Sequence, residues 1–307
     1  MDSKRRSSVP TDLWLLTKLV ETSAPDTVAV APWRLKTVSS RTSLLQYIAQ
    51  LWERRHFILA DARAKAFATS RDTMLGKIWL VLRPFLDAFV YFLIFGMLLG
   101  TRRGIENFPA YLVVGVNFFT LLNLALSSGG GIVTAARNLL RAFSFPRASI
   151  VLSWSLRHLL DFLPVVLTTV VFVIVMPPGV MPNWTMLLIV PITFLGWVFA
   201  VGIAFFTASL TYRFKDLKFI WPLLGRVWLY GSGVFFSIDN VVSDPLLSSL
   251  MKANPGFHFL SMMRNILVYK TLPALNEWAY MAYWALGTLL IGFLIFWYHE
   301  ESYGREY

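Results

Sequence analysis

Long apolar stretches alternate with short, mostly basic connections along this chain. The pattern predicts a helical protein that crosses a bilayer several times. Residues 162–212 are the extreme case, fifty-one in a row without Asp, Glu, Lys or Arg. A membrane helix needs ~20 mostly apolar residues to cross a ~30 Å hydrocarbon core, so this run holds two. Pro177-Pro178-Gly179 and Pro182-Asn183 mark the turn between them, because Pro removes backbone donors and Gly accepts positive φ. The same reading gives six spans in all, over 78–99, 108–132, 148–176, 184–212, 219–236 and 278–298.

The remaining segments have characters of their own. Residues 1–40 are polar, interrupted by Pro10, Pro25 and Pro32, and read as a flexible cytoplasmic tail. Over 44–71, Leu45, Ile48, Trp52 and Leu59 recur at helical spacing among Arg54, Arg55, Arg63 and Lys65. Such a helix is too charged to span and suits the headgroup plane. An ordinary solvated helix is the alternative. The connection between spans five and six is long and semi-apolar. Asn254-Pro255 reads as a helix N-cap followed by Pro at the first helical position, and Ser243-Asp244-Pro245 has the same look. Two short, partly re-entrant outer helices are expected there, covering or lining a pathway. The expected fold is therefore all-α, with six transmembrane helices, an amphipathic interface helix and short outer re-entrant helices.

Composition adds orientation and exclusions. The chain is 56% hydrophobic and 15% charged, yet carries a net charge of +11. Counting Lys and Arg in the connections places twenty on the side of the N-terminus and five opposite. By the positive-inside rule both termini face the cytoplasm, in an inner membrane. Cysteine is absent, which removes disulfides, thiol catalysis and Cys-ligated metals. No G-x-x-x-x-G-K-[ST] loop is present to cradle phosphates. Ser127-Ser128-Gly129-Gly130-Gly131 lacks the lysine and reads as small residues that let helices approach closely. The four histidines are scattered, and no carboxylate cluster faces the membrane. An enzyme reading therefore finds neither metal site nor acid–base pair. Arg157, His158 and Asp161 form the one dense ionisable group in span three. Intramembrane charge is functional by default, and the alternative is a self-satisfied Arg157–Asp161 pair at i,i+4. Aromatic rings inside the spans, Phe85, Phe89, Phe92, Trp228, Tyr230 and Phe235, suit sliding contact with sugar faces. Each is also an ordinary packing residue.

Four segments carry a resemblance. Thr73, Leu75, Gly76, Trp79 and Pro84 lie at the start of span one. Arg137-Asn138-Leu139-Leu140-Arg141-Ala142-Phe143-Ser144-Phe145-Pro146 lies between spans two and three. Tyr212-Arg213-Phe214-Lys215-Asp216-Leu217 precedes span five, and Asn254-Pro255 with Arg264 lies on the outer side. In this order the chain, from 41 onward, resembles the transmembrane subunits of ABC-2-type exporters. Within them it is similar to the permeases for polysaccharide, O-antigen, galactan or teichoic acid. The resemblance implies a homodimer with two copies of a separate ATPase, which binds ATP and Mg, so this chain needs no cofactor of its own. It implies a polyprenyl-pyrophosphate-linked glycan as cargo and no nucleic acid. It makes 134–147 the coupling helix, with Arg137, Asn138, Arg141, Phe143, Phe145 and Pro146 as docking residues. Arg63, Lys65 and Arg83 are then candidates to receive the lipid pyrophosphate, where the interface helix meets span one. A drug or lipid exporter is the runner-up. A membrane enzyme and an ATP-independent flippase or channel are rivals from other classes.

Overall fold

A computed structural model describes residues 43–66, 76, 78–91, 93–94, 105, 107–142, 145–175 and 180–303. The tail, Phe92, Phe143 and the turn at 177–179 lie outside the described residues, which hold helices and no strand. Ser43 caps α1 (Leu44–Glu53), and Arg54 separates it from α2 (Arg55–Lys65). The interface segment is thus two helices rather than one. Tyr47, Leu51, Ile58 and Ala62 keep one buried stripe across the break, while Leu45, Ile48 and Trp52 face outward. That split of faces is what an interfacial helix needs, with one side on the protein and one on lipid.

The body follows as α3 (Ile78–Tyr91), α4 (Phe108–Gly129), the short α5 (Ile132–Ala135) and α6 (Arg137–Ala142), and α7 (Ala148–Val175). A 3-10 turn, Trp184–Leu188, runs into α8 (Ile189–Arg213), and α9 (Leu217–Gly231) comes next. Among the described residues four helices are long and apolar enough to cross a membrane: α4, α7, the turn with α8, and α13 (Leu275–Tyr298). The segments read as spans one and five hold α3, whose described part ends at Tyr91, and the 15-residue α9, each with an internal proline, Pro84 and Pro222.

Between lipid-filled helices the hydrophobic effect offers little, so close packing must hold the bundle. Helix α8 lies at its centre against α13. Gly202 faces Gly292 there, and a Cβ on either would collide with the opposite backbone. Gly129, in the small-residue run, meets Thr207 and Ala204 of α8 in the same way. Polar side chains also bridge the helices: Asn117 Nδ2 donates to Thr169 Oγ1 at 2.9 Å and Trp197 Nε1 to the Ser155 carbonyl at 3.1 Å.

The outer end departs from the sequence reading. The fifth apolar segment stops being helical at Gly231, five residues earlier than its hydropathy suggests. The chain turns through Ser232–Phe236, with Gly233 at φ +62° and Val234 and Phe235 fully buried. Hydropathy could not separate this turn from helix because its residues are as apolar as a span. Three short helices follow, α10 (Ile238–Val241), α11 (Pro245–Lys252) and α12 (Pro255–Leu267). Asp244, one residue after Ser243, caps α11 by accepting from Leu246 and Leu247 N–H at 2.7 and 3.0 Å. Asn254 caps α12 as expected, with Gly256 N at 2.9 Å.

Candidate functional site

At the end of the bundle that carries α1 and α2, helices α5 and α6 join α4 to α7. Arg137 and Asn138 are exposed on α6. Arg141 lies in the same helix. Phe145 is half-buried, its ring 5.8 Å from Phe57 of α2, and Pro146 is buried. The residues just beyond are clasped from two sides. Tyr47 of α1 accepts from Ala148 N–H at 3.0 Å, and Glu300, just after α13, accepts from Arg147 N–H at 2.9 Å. The Arg147 guanidinium also donates to the Glu300 carbonyl. Burial pushes the Glu300 carboxyl above its ordinary value, against the opposing pull of Arg147 and Tyr47. Burial likewise raises the Tyr47 and Tyr303 hydroxyls, and the neighbouring Glu300 charge adds to both. The connecting segment is thus fastened to the interface helices and to the chain after the last span.

Two cavities open beside it. One of about 580 Å³ is walled by α2 (Phe57, Asp61, Lys65), by Asn138 and Leu139 of α6, and by Ser153, Trp154 and Arg157 of α7. Lys65 pairs with Asp61 at 2.7 Å, and Ser153 Oγ donates to the same carboxylate. The other, of about 470 Å³, lies among α3, α4 and α7. Arg83 and Asp87 reach it from α3 and pair at 3.9 Å. From α7 come Arg157, His158 and Asp161, with Arg157 Nε 3.4 Å from Asp161 Oδ2. The His158 ring stands edge-on to Trp154 at 4.1 Å. Arg157 lines both cavities.

The residues singled out from sequence are distributed unevenly over this arrangement. Lys65 and Arg83 each line a cavity, and each already has a carboxylate partner. Arg63 is exposed and forms no ion pair among the described residues. Phe85 packs on Phe172 at 5.4 Å, whereas Phe89 is 56% exposed. Trp228 sits between Phe119 and Phe199 and donates to Asn254 Oδ1 at 2.7 Å. Phe235 is wholly inside the core, and Tyr230 is half exposed beside it at 5.3 Å. Trp228 and Phe235 therefore hold the outer turn, while Phe89 and Tyr230 present free ring surface.

The wall also carries a polar stripe. Asn117, Thr120, Asn123 and Ser127 recur on α4 at three- and four-residue steps, and all four line the 470 Å³ cavity. In a span otherwise so apolar, polar residues at helical period mark one face. Among the described residues no group of His, Asp and Glu is placed to hold a metal ion. What the walls offer is hydrogen-bonding capacity in balanced, charge-paired form.

Known proteins share this sequence pattern. The sequence model of the ABC-2 type transporter family matches residues 58–268. The O-antigen export system permease protein RfbA of Myxococcus xanthus is 23% identical over 230 residues, 75% of this chain and 87% of that protein. The protein of the same name in Klebsiella pneumoniae is 26% identical over 205 residues, 66% of this chain and 76% of its own length.

Proposed function

The chain belongs to the ABC-2 type transporter family, and from that premise we propose that it is the permease subunit of an ABC exporter for a lipid-linked polysaccharide. The observation that carries this reading is the likeness to two O-antigen export permeases along most of their length. The cargo is a glycan on a polyprenyl pyrophosphate, moved from the cytoplasm to the outer face of the inner membrane. Six spans cross that membrane, α3 and α9 being the first and fifth, and both termini are cytoplasmic. The twenty-to-five asymmetry of Lys and Arg supports that orientation.

Two copies of the chain enclose the passage, and two copies of a separate ATPase drive it. The ATPase binds ATP and Mg. It docks on α6 and its flanks, where Arg137 and Asn138 are exposed. The clasp of Tyr47, Arg147 and Glu300 then passes the motion of the motor to α1, α7 and the end of α13. Arg63, exposed on α2, is the candidate there to meet a pyrophosphate. Vesicles containing the permease and its ATPase test the whole reading. ATP-driven movement should require a polyprenyl-pyrophosphate-linked glycan. Equal movement of a small amphiphile with no glycan present would replace the reading with a drug or lipid exporter.

A further inference from the structure

The 470 Å³ cavity holds a chemical clue in its charge balance. Two arginines, Arg83 and Arg157, face two aspartates, Asp87 and Asp161, each pair four residues apart on one helix. A pyrophosphate presents acceptors alone, so its site needs donors and positive charge in surplus. This wall has no surplus. A sugar hydroxyl both donates and accepts, and a wall that alternates guanidinium and carboxylate answers both halves.

The polar stripe of α4 sharpens the match. Thr120 Oγ1 donates to the Asn117 carbonyl at 2.6 Å and Ser127 Oγ to the Asn123 carbonyl at 2.9 Å, which leaves their oxygens to accept. Trp79 supplies an apolar face at the rim. An acyl chain in this space would leave two ion pairs desolvated, which the bilayer interior penalises. The volume lies in the ~300–1,000 Å³ range of small-molecule sites.

We propose that the cavity among α3, α4 and α7 binds an uncharged sugar unit of the cargo glycan, held by Arg157 and Asp161, and not its pyrophosphate. The identity of the cargo rests on the exporter reading. The chemistry of the cleft does not. Passage is then guided by a polar handhold at membrane depth as well as by exposed rings.

The test is protection from alkylation, read on the full-length permease in lipid nanodiscs without the ATPase. The chain has no cysteine, so Ser127→Cys places a single thiol in the wall. Three probes are compared: the host's own lipid-linked glycan, the same glycan freed by mild acid, and polyprenyl pyrophosphate without sugar. The intact and the free glycan should both slow alkylation, and the bare lipid pyrophosphate should not. Adding Asp161→Asn should weaken protection by the free glycan about tenfold, the scale of one lost charge-assisted hydrogen bond. The ligand-free alkylation rate and elution volume should stay as in Ser127→Cys, which shows that the cleft still forms. Protection by the bare lipid pyrophosphate alone would make this an anion site and overturn the proposal. So would no protection by any probe, or undiminished protection in Asp161→Asn. ATP-driven transport is measured separately. A free glycan that protects without being transported would sink the exporter reading and leave the cleft standing.

Discussion

Tyr111 carries more of the outer cap than one hydroxyl usually does. It donates to the carbonyls of both Gly233 and Phe236, at 3.0 and 2.9 Å, while Arg264 lies over its ring at 3.4 Å. Arg264 is itself buried and donates to the Val234 carbonyl at 3.0 Å, so the two side chains close the turn after α9 between them. Tyr111→Phe keeps the ring under the guanidinium and removes the donor. The loss should cost about 1–2 kcal/mol, seen as a melting temperature lower by a few degrees in detergent. An unchanged melting curve would mean that the turn is held by Asn254 and Arg264 alone. Glu300 offers a test at the other end of the bundle. Its carboxyl is raised from its ordinary value of 4.5, so the folded state binds the proton more tightly than the unfolded one. Its contribution to stability is complete below that value and is lost as pH rises through the folded one. Glu300→Gln stays neutral at every pH and can still accept from Arg147 N–H. Its melting temperature should fall less than that of the wild type as pH is raised from the ordinary carboxyl range toward neutrality. Parallel curves would place the pH response elsewhere.

At the scale of elements, the segment from α5 to the start of α7 acts as a peg and its fastening. The peg is α6, with Arg137 exposed and Arg141 one turn further along. Reversing both to Glu should release the ATPase in pull-down from membranes while the permease still inserts. A buried interface anchor typically contributes ~2 kcal/mol or more. The fastening is the clasp of Tyr47, Arg147 and Glu300, with the Phe145 ring on Phe57 of α2 beside it. Phe145→Ala should leave the ATPase bound and lower the stimulation of its hydrolysis by cargo. Loss of binding in this variant would mean that Phe145 touches the motor directly. The sequence reading made 134–147 one coupling helix; the structure has two short helices, α5 and α6, parted at Ala136, and only the basic pattern of α6 was legible. The fastening was not, because Tyr47, Arg147 and Glu300 stand 100 and 153 residues apart in the chain. The long helices were likewise legible from apolar length, down to the Asn254 cap. The break at Arg54 and the turn after Gly231 were not, since neither interrupts the run of side-chain types. Of the cavity walls, Arg157 and Asp161 stood out as charges in a span. Their meeting with Arg83, Asp87 and the α4 stripe is a product of packing alone.

In the proposed topology the basic connections gather on one side of the membrane and the short capped helices on the other. Single-cysteine variants need no background removal, because the chain has no cysteine. Cysteine at Lys252, in the last turn of α11, should react with an impermeant thiol reagent added outside intact cells. Cysteine at Lys215, between α8 and α9, should react only after permeabilisation. External labelling at Lys215 would reverse the orientation and the direction of transport with it. The length of α9 has a bearing on this asymmetry. Its 15 residues rise only about 22 Å, against a hydrocarbon core of ~30 Å. In the proposed topology the turn that follows would therefore stop short of the outer surface, with its carbonyls taken by Tyr111 and Arg264. A hydrophilic polymer leaving beside α9 in the proposed exporter would then run along a helix shorter by about a quarter than the hydrocarbon core. In that arrangement the greasy stretch to be crossed is set by the protein rather than by the lipid.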